Sequence, residues 1–223
     1  MDRQTLKIGF LGGTGPQGRG LGMRLAQAGH PVLLGSRSKE RADEAVAKVA
    51  AKVADLPLEG AGNDQVCAEA DVVVVTLPYQ GMAATLTAVA EHIGDKIVVS
   101  CVNALGFAER GPHPLAVPAG SAAEECQALL PGARVVGAWQ NVSAVKLGRP
   151  AEPVEVDVLL TGDDDEAVAT VGGLVEAIPG MRAVRAGPLR LSRPVEEITA
   201  VLLAVNKAYK INAGVTVAGL ERS

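Results

Sequence analysis

Aromatic and metal-binding side chains are scarce in this sequence. Its 223 residues include two phenylalanines, two tyrosines, one tryptophan, three cysteines and three histidines. So few rings exclude a platform on which successive nucleic-acid bases stack. The cysteines form no CxxC pair and the histidines no HExxH motif, so we expect neither a metal site nor a disulfide framework.

Strong charge and long apolar runs are also absent. The formal net charge is −4, which argues against a nucleic-acid partner because phosphates attract basic surfaces. No apolar run approaches the roughly 20 residues that span a bilayer. Met1 to Thr5 lead directly into the first predicted strand, so we expect no signal peptide. These features predict a cytoplasmic protein without a membrane partner.

Apolar runs alternate with segments of helical period, which predicts an α/β fold with a Rossmann-type, doubly wound parallel sheet. The predicted strands cover 6–11, 31–35, 71–78, 96–100, 134–139, 154–160 and 183–184. The predicted helices cover 16–28, 39–54, 81–92, 121–129 and 194–212, another begins near Asp163, and Ser38 is expected to cap the second. A Gly- and Pro-rich loop is predicted over 106–120. We draw a domain boundary near residue 150, with a nucleotide-binding domain over 1–150 and a smaller C-terminal α/β lobe over 151–223.

A glycine-rich turn follows the first predicted strand and opens the first predicted helix. It carries a GxGxxG pattern at Gly13, Gly15 and Gly18. In this context we expect Gly13 to permit a tight turn, Gly15 to let the backbone approach a pyrophosphate, and Gly18 to allow close packing of helix and strand. The turn predicts a dinucleotide site, and a turn that binds nothing is the alternative.

The end of the second predicted strand indicates which dinucleotide is bound. An NAD enzyme usually has an acidic residue there, whereas this chain has Ser36 and Arg37, with Arg41 one helical turn later. A serine hydroxyl and an arginine fork suit a ribose 2′-phosphate. Lys39 has a suitable charge as well. The segment predicts NADP, with a solvated basic loop as the alternative.

Two later strands end at the same predicted edge of the sheet, where open α/β sheets bind ligands. The first is followed by Thr76 to Tyr79, for which we expect nucleotide contact, and the second by Ser100 to Asn103. Cys101 has no histidine close to it in sequence, so we do not assign it as a nucleophile.

Several motifs occur in an order that is similar to one known family. They are Gly12–Gly15, Gly35–Arg37, Gly120–Glu124, Asn141–Ala144, Thr161–Asp165 and Ala186–Leu189. With them the chain resembles the F420-dependent NADP reductases, from its first strand to about Val217. The resemblance implies hydride transfer between NADP(H) and coenzyme F420, a deazaflavin. It also implies that NADP lies on the N-terminal domain and that the C-terminal lobe closes the F420 cleft.

The patterns and the resemblance together give a set of expected binding residues. The expected NADP contacts are Gly13, Thr14, Gly15, Pro16, Gln17, Gly18, Ser36, Arg37, Arg41, Thr76, Leu77, Pro78, Tyr79, Ala83 and Ala144. By the resemblance, the deazaflavin contacts are Gln140, Asn141, Val142, Ser143, Gly214 and Val215. Many family members carry histidine where this chain has Gln140, and glutamine does not titrate near neutrality.

No triad, paired carboxylates or metal cluster is visible, so we assign no catalytic side chain; in such a reaction the cofactors carry the chemistry. Two other functions stay open. One is an NADPH-dependent reductase of an imine, a flavin or a ferric chelate, and the other is a non-catalytic NADP-binding redox sensor. The last predicted helix is apolar on several faces (Val201, Leu202, Leu203, Val205, Ile211), which favours a homodimer contact over a wholly internal helix only slightly.

Overall fold

Short runs of valine, isoleucine and leucine form the centre of one sheet in the computed structural model, which describes residues 5–220. The strands are β1 (Ile8–Leu11), β2 (Val32–Ser36), β3 (Leu58–Gly62), β4 (Val72–Val75), β5 (Ile97–Ser100), β8 (Arg134–Gly137), β9 (Val156–Gly162) and β10 (Met181–Gly187). Their order is β10-β9-β8-β5-β4-β1-β2-β3. Every pairing is parallel except β8 with β9. Successive strands are added on one side of β1 up to β3 and on its other side from β4, and doubly wound proteins bind ligands where the strand order reverses in this way.

Helices cover both faces of the sheet. The helices are α1 (Pro16–Gln27), α2 (Lys39–Ala50), α3 (Asn63–Glu69), α4 (Tyr79–Ile93), α5 (Ala122–Leu129), α6 (Ala144–Leu147), α7 (Asp165–Glu176) and α8 (Ser192–Tyr209). One apolar cluster joins the sheet to α1, α2, α6 and α7, and a second joins its other face to α3, α4 and α5. Residues that alternate along β4 enter the two clusters in turn, because side chains of a strand point to opposite faces.

The α/β, Rossmann-type fold is confirmed, and the predicted strands and helices appear with their ends shifted by a few residues. Ser38 caps α2 as predicted, accepting a hydrogen bond from the Arg41 amide. β3, α3 and α6 were not predicted from the sequence. The segment predicted as a loop contains a two-stranded hairpin, β6 (Leu105–Ala108) and β7 (Gly111–Pro114).

The C-terminal strands extend the same sheet. The predicted boundary near residue 150 falls between α6 and β9, and β9 pairs with β8 only through Val136–Gly162 and Gly137–Thr161. The first half of β9 is joined instead by the end of the chain, where the Asp157 amide donates to the Val215 carbonyl at 2.9 Å. The predicted lead-in over residues 1–4 lies outside the described residues. Within residues 5–220, no helix combines the length and apolarity needed to cross a membrane.

Candidate functional site

The loop between β1 and α1 is shaped by its glycines. The sequence pattern predicted that Gly13 permits the tight turn. The residue with the left-handed backbone conformation is instead Gly12, with φ +78°. Gly13 is needed for a different reason: a Cβ there would lie 2.9 Å from the Leu34 Cα, so glycine alone lets the loop lie against β2. The Gly13 amide accordingly donates to the Gly35 carbonyl at 3.1 Å.

The next two glycines differ in what surrounds them. A Cβ on Gly18 would lie 2.7 Å from the Gly13 Cα and 2.8 Å from Thr76 Oγ1, so Gly18 allows the close packing of α1 on the loop that was predicted. A Cβ on Gly15 would approach nothing closer than the Gly12 carbonyl oxygen at 3.5 Å. Gly15 is the N-cap of α1, and no side chain caps that helix. Its first amides and dipole are therefore available to an anion.

Basic side chains at the end of β2 differ in whether they are already paired. Lys39 lies 2.8 Å from Asp43 in an ion pair. Arg37 and Arg41 are exposed, and neither guanidinium has a hydrogen-bond or ion-pair partner within residues 5–220. Ser36 is half-buried and its Oγ accepts from the Ser38 amide at 3.4 Å. Two unpaired cations beside a hydroxyl suit a phosphate.

In the segment Thr76–Tyr79 after β4, where nucleotide contact was predicted, two side chains already form hydrogen bonds within the protein. Thr76 Oγ1 donates to the Leu11 carbonyl at 3.0 Å, so its hydroxyl joins the ends of β1 and β4. Tyr79, the first residue of α4, donates its hydroxyl to Glu125 in α5 at 2.8 Å. Burial and this hydrogen bond raise the pKa of Tyr79 to about 12. Leu77 and Ala83 are half-buried and Pro78 is exposed.

Residues 139–143, which follow β8, contact two other parts of the chain. One is the start of α1, directly after the glycine-rich loop, and the other is the segment that follows α8. Gln17 Nε2 donates to the Trp139 carbonyl at 3.3 Å, and Trp139 has φ +60°. At the other end of the segment, Ser143 Oγ donates to Asn212 at 3.2 Å. A Cβ on Gly214 would lie 2.4 Å from the Val156 side chain, so the tail is held closely against β9.

The amide side chains of this segment point inward. Gln140 is only 5% exposed, and a Cβ on Gly137 would lie 2.8 Å from its Nε2. Both atoms of this amide lack a hydrogen-bond partner within residues 5–220. Asn141 donates to the Val195 carbonyl at 2.8 Å and to Thr199 Oγ1 at 2.9 Å, which joins the segment to α8. Val142 is buried and Ser143 is half-buried.

Asn103, in the segment predicted to follow β5 at the edge of the sheet, donates to the Gln140 carbonyl at 2.9 Å. Two buried charged residues were not predicted from the sequence. Glu196 of α8 is 3% exposed and accepts hydrogen bonds from the first amides of α5. Arg24 of α1 is equally buried. The signal available for Arg24 was its place between Leu21 and Leu25 on an apolar helical stripe, where a charged side chain is unusual.

The buried thiols are poorly suited to nucleophilic chemistry. Burial raises the pKa values of Cys67 and Cys126 to about 12 and raises that of Cys101 as well. Because the thiolate is the reactive form, these cysteines stay protonated at neutral pH. What the site assembles is a set of backbone amides at the start of α1 and, within residues 5–220, two unpaired arginines at the end of β2, which can bind anionic groups.

Comparison with known proteins gives a consistent result. Residues 7–104 match the family model described as "NADP oxidoreductase coenzyme F420-dependent". The chain is 37% identical to the F420-dependent NADP reductase of Methanothermobacter thermautotrophicus, over 97% of this chain and 96% of the relative. It is 38% identical to that of Methanocaldococcus jannaschii, over 97% and 100%. A crystal structure from Arthrobacter sp. FB24, of a protein proposed to be an F420-dependent NADP reductase, superposes with a TM-score of 0.83, at 26% identity, over 96% of this chain and 99% of the other.

Proposed function

The chain belongs to the F420-dependent NADP reductases, which transfer hydride between NADP(H) and coenzyme F420, and we propose that the glycine loop, the end of β2 and the segment 139–144 bind the two cofactors. The observation that carries these contacts is that Arg37 and Arg41, which have no partner within residues 5–220, lie beside the uncapped N-terminus of α1. NADP presents two anionic parts, a pyrophosphate and a 2′-phosphate, and these two features fit them.

The NADP contacts follow from that fit. The loop Gly13–Gly18 holds the pyrophosphate with the first amides of α1, which no side chain caps, and Gly15 presents no side chain to keep the ligand away. Ser36, Arg37 and Arg41 hold the 2′-phosphate, which a carboxylate at this position would repel. The residues Thr76, Leu77, Pro78, Tyr79, Ala83 and Ala144 line the nicotinamide side, Thr76 mainly by tying β4 to β1.

The deazaflavin contacts are the segment Gln140–Ser143 and the tail at Gly214 and Val215. Support comes from the hydrogen bonds that hold the two pieces of chain together, Ser143 to Asn212 and Asp157 to Val215. In this arrangement residues 151–220 form the wall that closes the cleft. Gln140 contributes its main chain, since its amide is buried toward Gly137.

Alignment is the protein's contribution to the reaction. The bound cofactors supply the hydride and its acceptor. Holding two reactants at reacting distance can lower a barrier by several kcal/mol without an acid or a base. We therefore assign no general acid or base, and the buried cysteines and the glutamine at position 140 take no part in proton transfer.

The direct test mixes the purified protein with NADPH and F420 and follows the deazaflavin absorbance between pH 5 and 9. We expect bleaching with NADPH and much slower bleaching with NADH. No bleaching at any pH contradicts the proposed sites. A panel of an imine, a flavin and a ferric chelate tests the other reductase function, and an absence of NADPH turnover with every acceptor points to a sensor.

We also propose a homodimer in the cytoplasm. Beyond Ala200, no residue of α8 is buried, and Val201 is 58% and Leu203 36% exposed. A second copy covering this half of α8 would remove that apolar surface from water. The three free, buried cysteines suit a reducing compartment. Sedimentation should give a dimer for the wild type and a monomer for Val201→Asp; a wild-type monomer contradicts the dimer.

A further inference from the structure

A buried arginine surrounded by main-chain carbonyls joins α1 to the chain that follows α6. Arg24 is 3% exposed. Its Nε donates to the Leu147 carbonyl at 3.1 Å and its Nη1 to the Pro150 carbonyl at 3.1 Å. Its Nη2 donates to the carbonyls of Lys146, Arg149 and Glu152. One side chain thus collects five carbonyls from the segment 146–152, which is more than a hundred residues away in sequence.

No carboxylate neutralises this guanidinium within residues 5–220. Burial lowers the pKa of Arg24, and the charge of Glu152 only partly opposes this effect. The Glu152 carboxylate itself is paired with Arg149 at 3.2 Å. Taking a charge out of water costs several kcal/mol, and an apolar side chain of similar length would fill the same space more cheaply. The five carbonyls offset this cost only while the segment 146–152 follows a path that directs them at the guanidinium group.

Two other contacts hold α6 in the same place. A Cβ on Gly20 would lie 2.7 Å from the Leu147 Cβ, so the glycine lets α6 approach α1 closely. Lys52 donates to the Gly148 carbonyl at 2.8 Å from the end of α2. The segment is therefore held from α1, through Gly20 and the five hydrogen bonds of Arg24, and from the end of α2, through Lys52.

Both ends of this connection reach the cofactor cleft. α1 begins at the glycine loop, and α6 begins at Ala144, directly after the segment 140–143. We infer that Arg24 is a positioning residue: it sets the distance between the pyrophosphate loop and the segment 140–144, and thereby the alignment of the two rings. This inference rests on the proposed function. Arg24 touches neither ligand and acts through the main chain of α6.

The inference predicts a specific split between binding and turnover. NADPH affinity depends on the glycine loop and the end of β2, which Arg24 does not hold, so the affinity should change little. Turnover depends on the relative placement of the two rings, and a misplacement of about 1 Å can cost about 100-fold in rate. A residue that only stabilised the fold would reduce the amount of active protein and leave both constants of the folded fraction unchanged.

The experiment compares Arg24→Met and Arg24→Lys in the full-length protein. Leu25→Ala is the matched control, because Leu25 is a fully buried neighbour in α1 that lies in the apolar cluster. The measurements are the Tm, the NADPH dissociation constant, kcat at saturating NADPH and F420, and amide hydrogen exchange over residues 139–152. The wild type measured in parallel tests the proposed function independently.

For Arg24→Met we expect kcat to fall about 10- to 100-fold, the NADPH dissociation constant to stay within about threefold, and exchange over 139–152 to accelerate. Arg24→Lys should recover part of kcat, and Leu25→Ala should lower the Tm with kcat near the wild-type value. Wild-type kcat or wild-type exchange in folded Arg24→Met overturns the inference, as does an equal loss of kcat in Leu25→Ala. If Arg24→Met does not fold, Arg24→Lys decides: wild-type kcat and exchange in that variant overturn it.

If the wild type shows no F420 turnover, the proposed function is refuted. The role of Arg24 is then tested by amide hydrogen exchange alone. Faster exchange over 139–152 in the Arg24 variants, but not in Leu25→Ala, then supports a positioning role in the cleft. Equal exchange in all of them refutes it.

Discussion

The carboxylate of Glu196 accepts a hydrogen bond from the Ala122 amide at 2.9 Å and another from the Ala123 amide at 3.1 Å. These are the first two residues of α5, so a side chain of α8 satisfies the free amides at that helix N-terminus. Burial nevertheless raises the pKa of Glu196 to about 7, with the two hydrogen bonds opposing the rise and the charges of Glu124 and Glu197 adding to it. A carboxyl whose pKa lies near neutrality therefore joins α8 to the N-terminus of α5.

Because the pKa of Glu196 is raised, we expect the free energy of unfolding to depend on pH. The pKa of this carboxyl is higher in the folded chain than the ordinary value of 4.5, so between those two pH values the folded state holds a proton that the unfolded state releases. Its contribution is complete below pH 4.5 and is lost as the pH rises to 7. The wild type should lose about 2–3 kcal/mol more unfolding free energy between pH 5 and 8 than Glu196→Gln. Urea unfolding at several pH values measures this, with Glu197→Gln as the control that keeps the wild-type slope. Identical slopes for all three proteins contradict the prediction.

Arg37 is expected to select NADPH. Losing a charge-assisted hydrogen bond costs about 1.5–3 kcal/mol, so Arg37→Ala should raise the KM for NADPH about 10- to 100-fold with little change in kcat. The KM for NADH should not rise, because NADH lacks the 2′-phosphate. Lys39→Ala is the control, since that ammonium is already paired with Asp43. Equal effects of the two substitutions on NADPH would mean that Arg37 does not contact the phosphate.

Alanine substitutions at Gly18 and Gly15 should have different effects, the first on stability and the second on the KM for NADPH. Gly18→Ala places a methyl group 2.7 Å from the Gly13 Cα, and such overpacking should cost about 1–3 kcal/mol of stability. Gly15→Ala meets only a contact at 3.5 Å, so the Tm should hold while the KM for NADPH rises at least about tenfold as the methyl group blocks the pyrophosphate. Thermal unfolding and steady-state kinetics separate the cases. A fall in Tm without a KM effect in Gly15→Ala counts against the assigned pyrophosphate site.

The chain that follows α8 is held to β9 by a buried carboxylate. Asp157, whose side chain is 0% exposed, accepts from Arg182 Nε at 2.9 Å and from the Val217 amide at 2.6 Å. Asp157→Asn removes the charge of this carboxylate, and breaking such an ion pair should cost about 3–5 kcal/mol. Limited proteolysis should also show earlier cleavage after residue 211. Asp165→Asn, which removes a surface pair with Arg185, should cost at most about 1 kcal/mol. Similar losses in the two variants would contradict the role of Asp157.

Sequence patterns predicted correctly those features that depend on residues close together in the chain. Ser38 was identified as an N-cap because a serine before a helical pattern satisfies the amides one turn ahead. β3 was missed because Leu58–Gly62 contains two glycines and a glutamate, and its pairing with β2 makes it a strand. The hairpin at 105–114 was missed for a similar reason, since Gly and Pro are poor strand formers.

The sequence by itself determined the fold class, the place of the glycine-rich turn after β1 and the expectation of NADP, because apolar periodicity, glycine spacing and the charge at the end of β2 are all local in sequence. Only the tertiary structure decided which groups are free. It paired Lys39, left Arg37 and Arg41 without a partner among residues 5–220, and turned Gln140 inward. It also brought Arg24 and Glu196 to main-chain groups more than seventy residues away. Burial and partnership are properties of three-dimensional packing, and no periodicity along the chain records them.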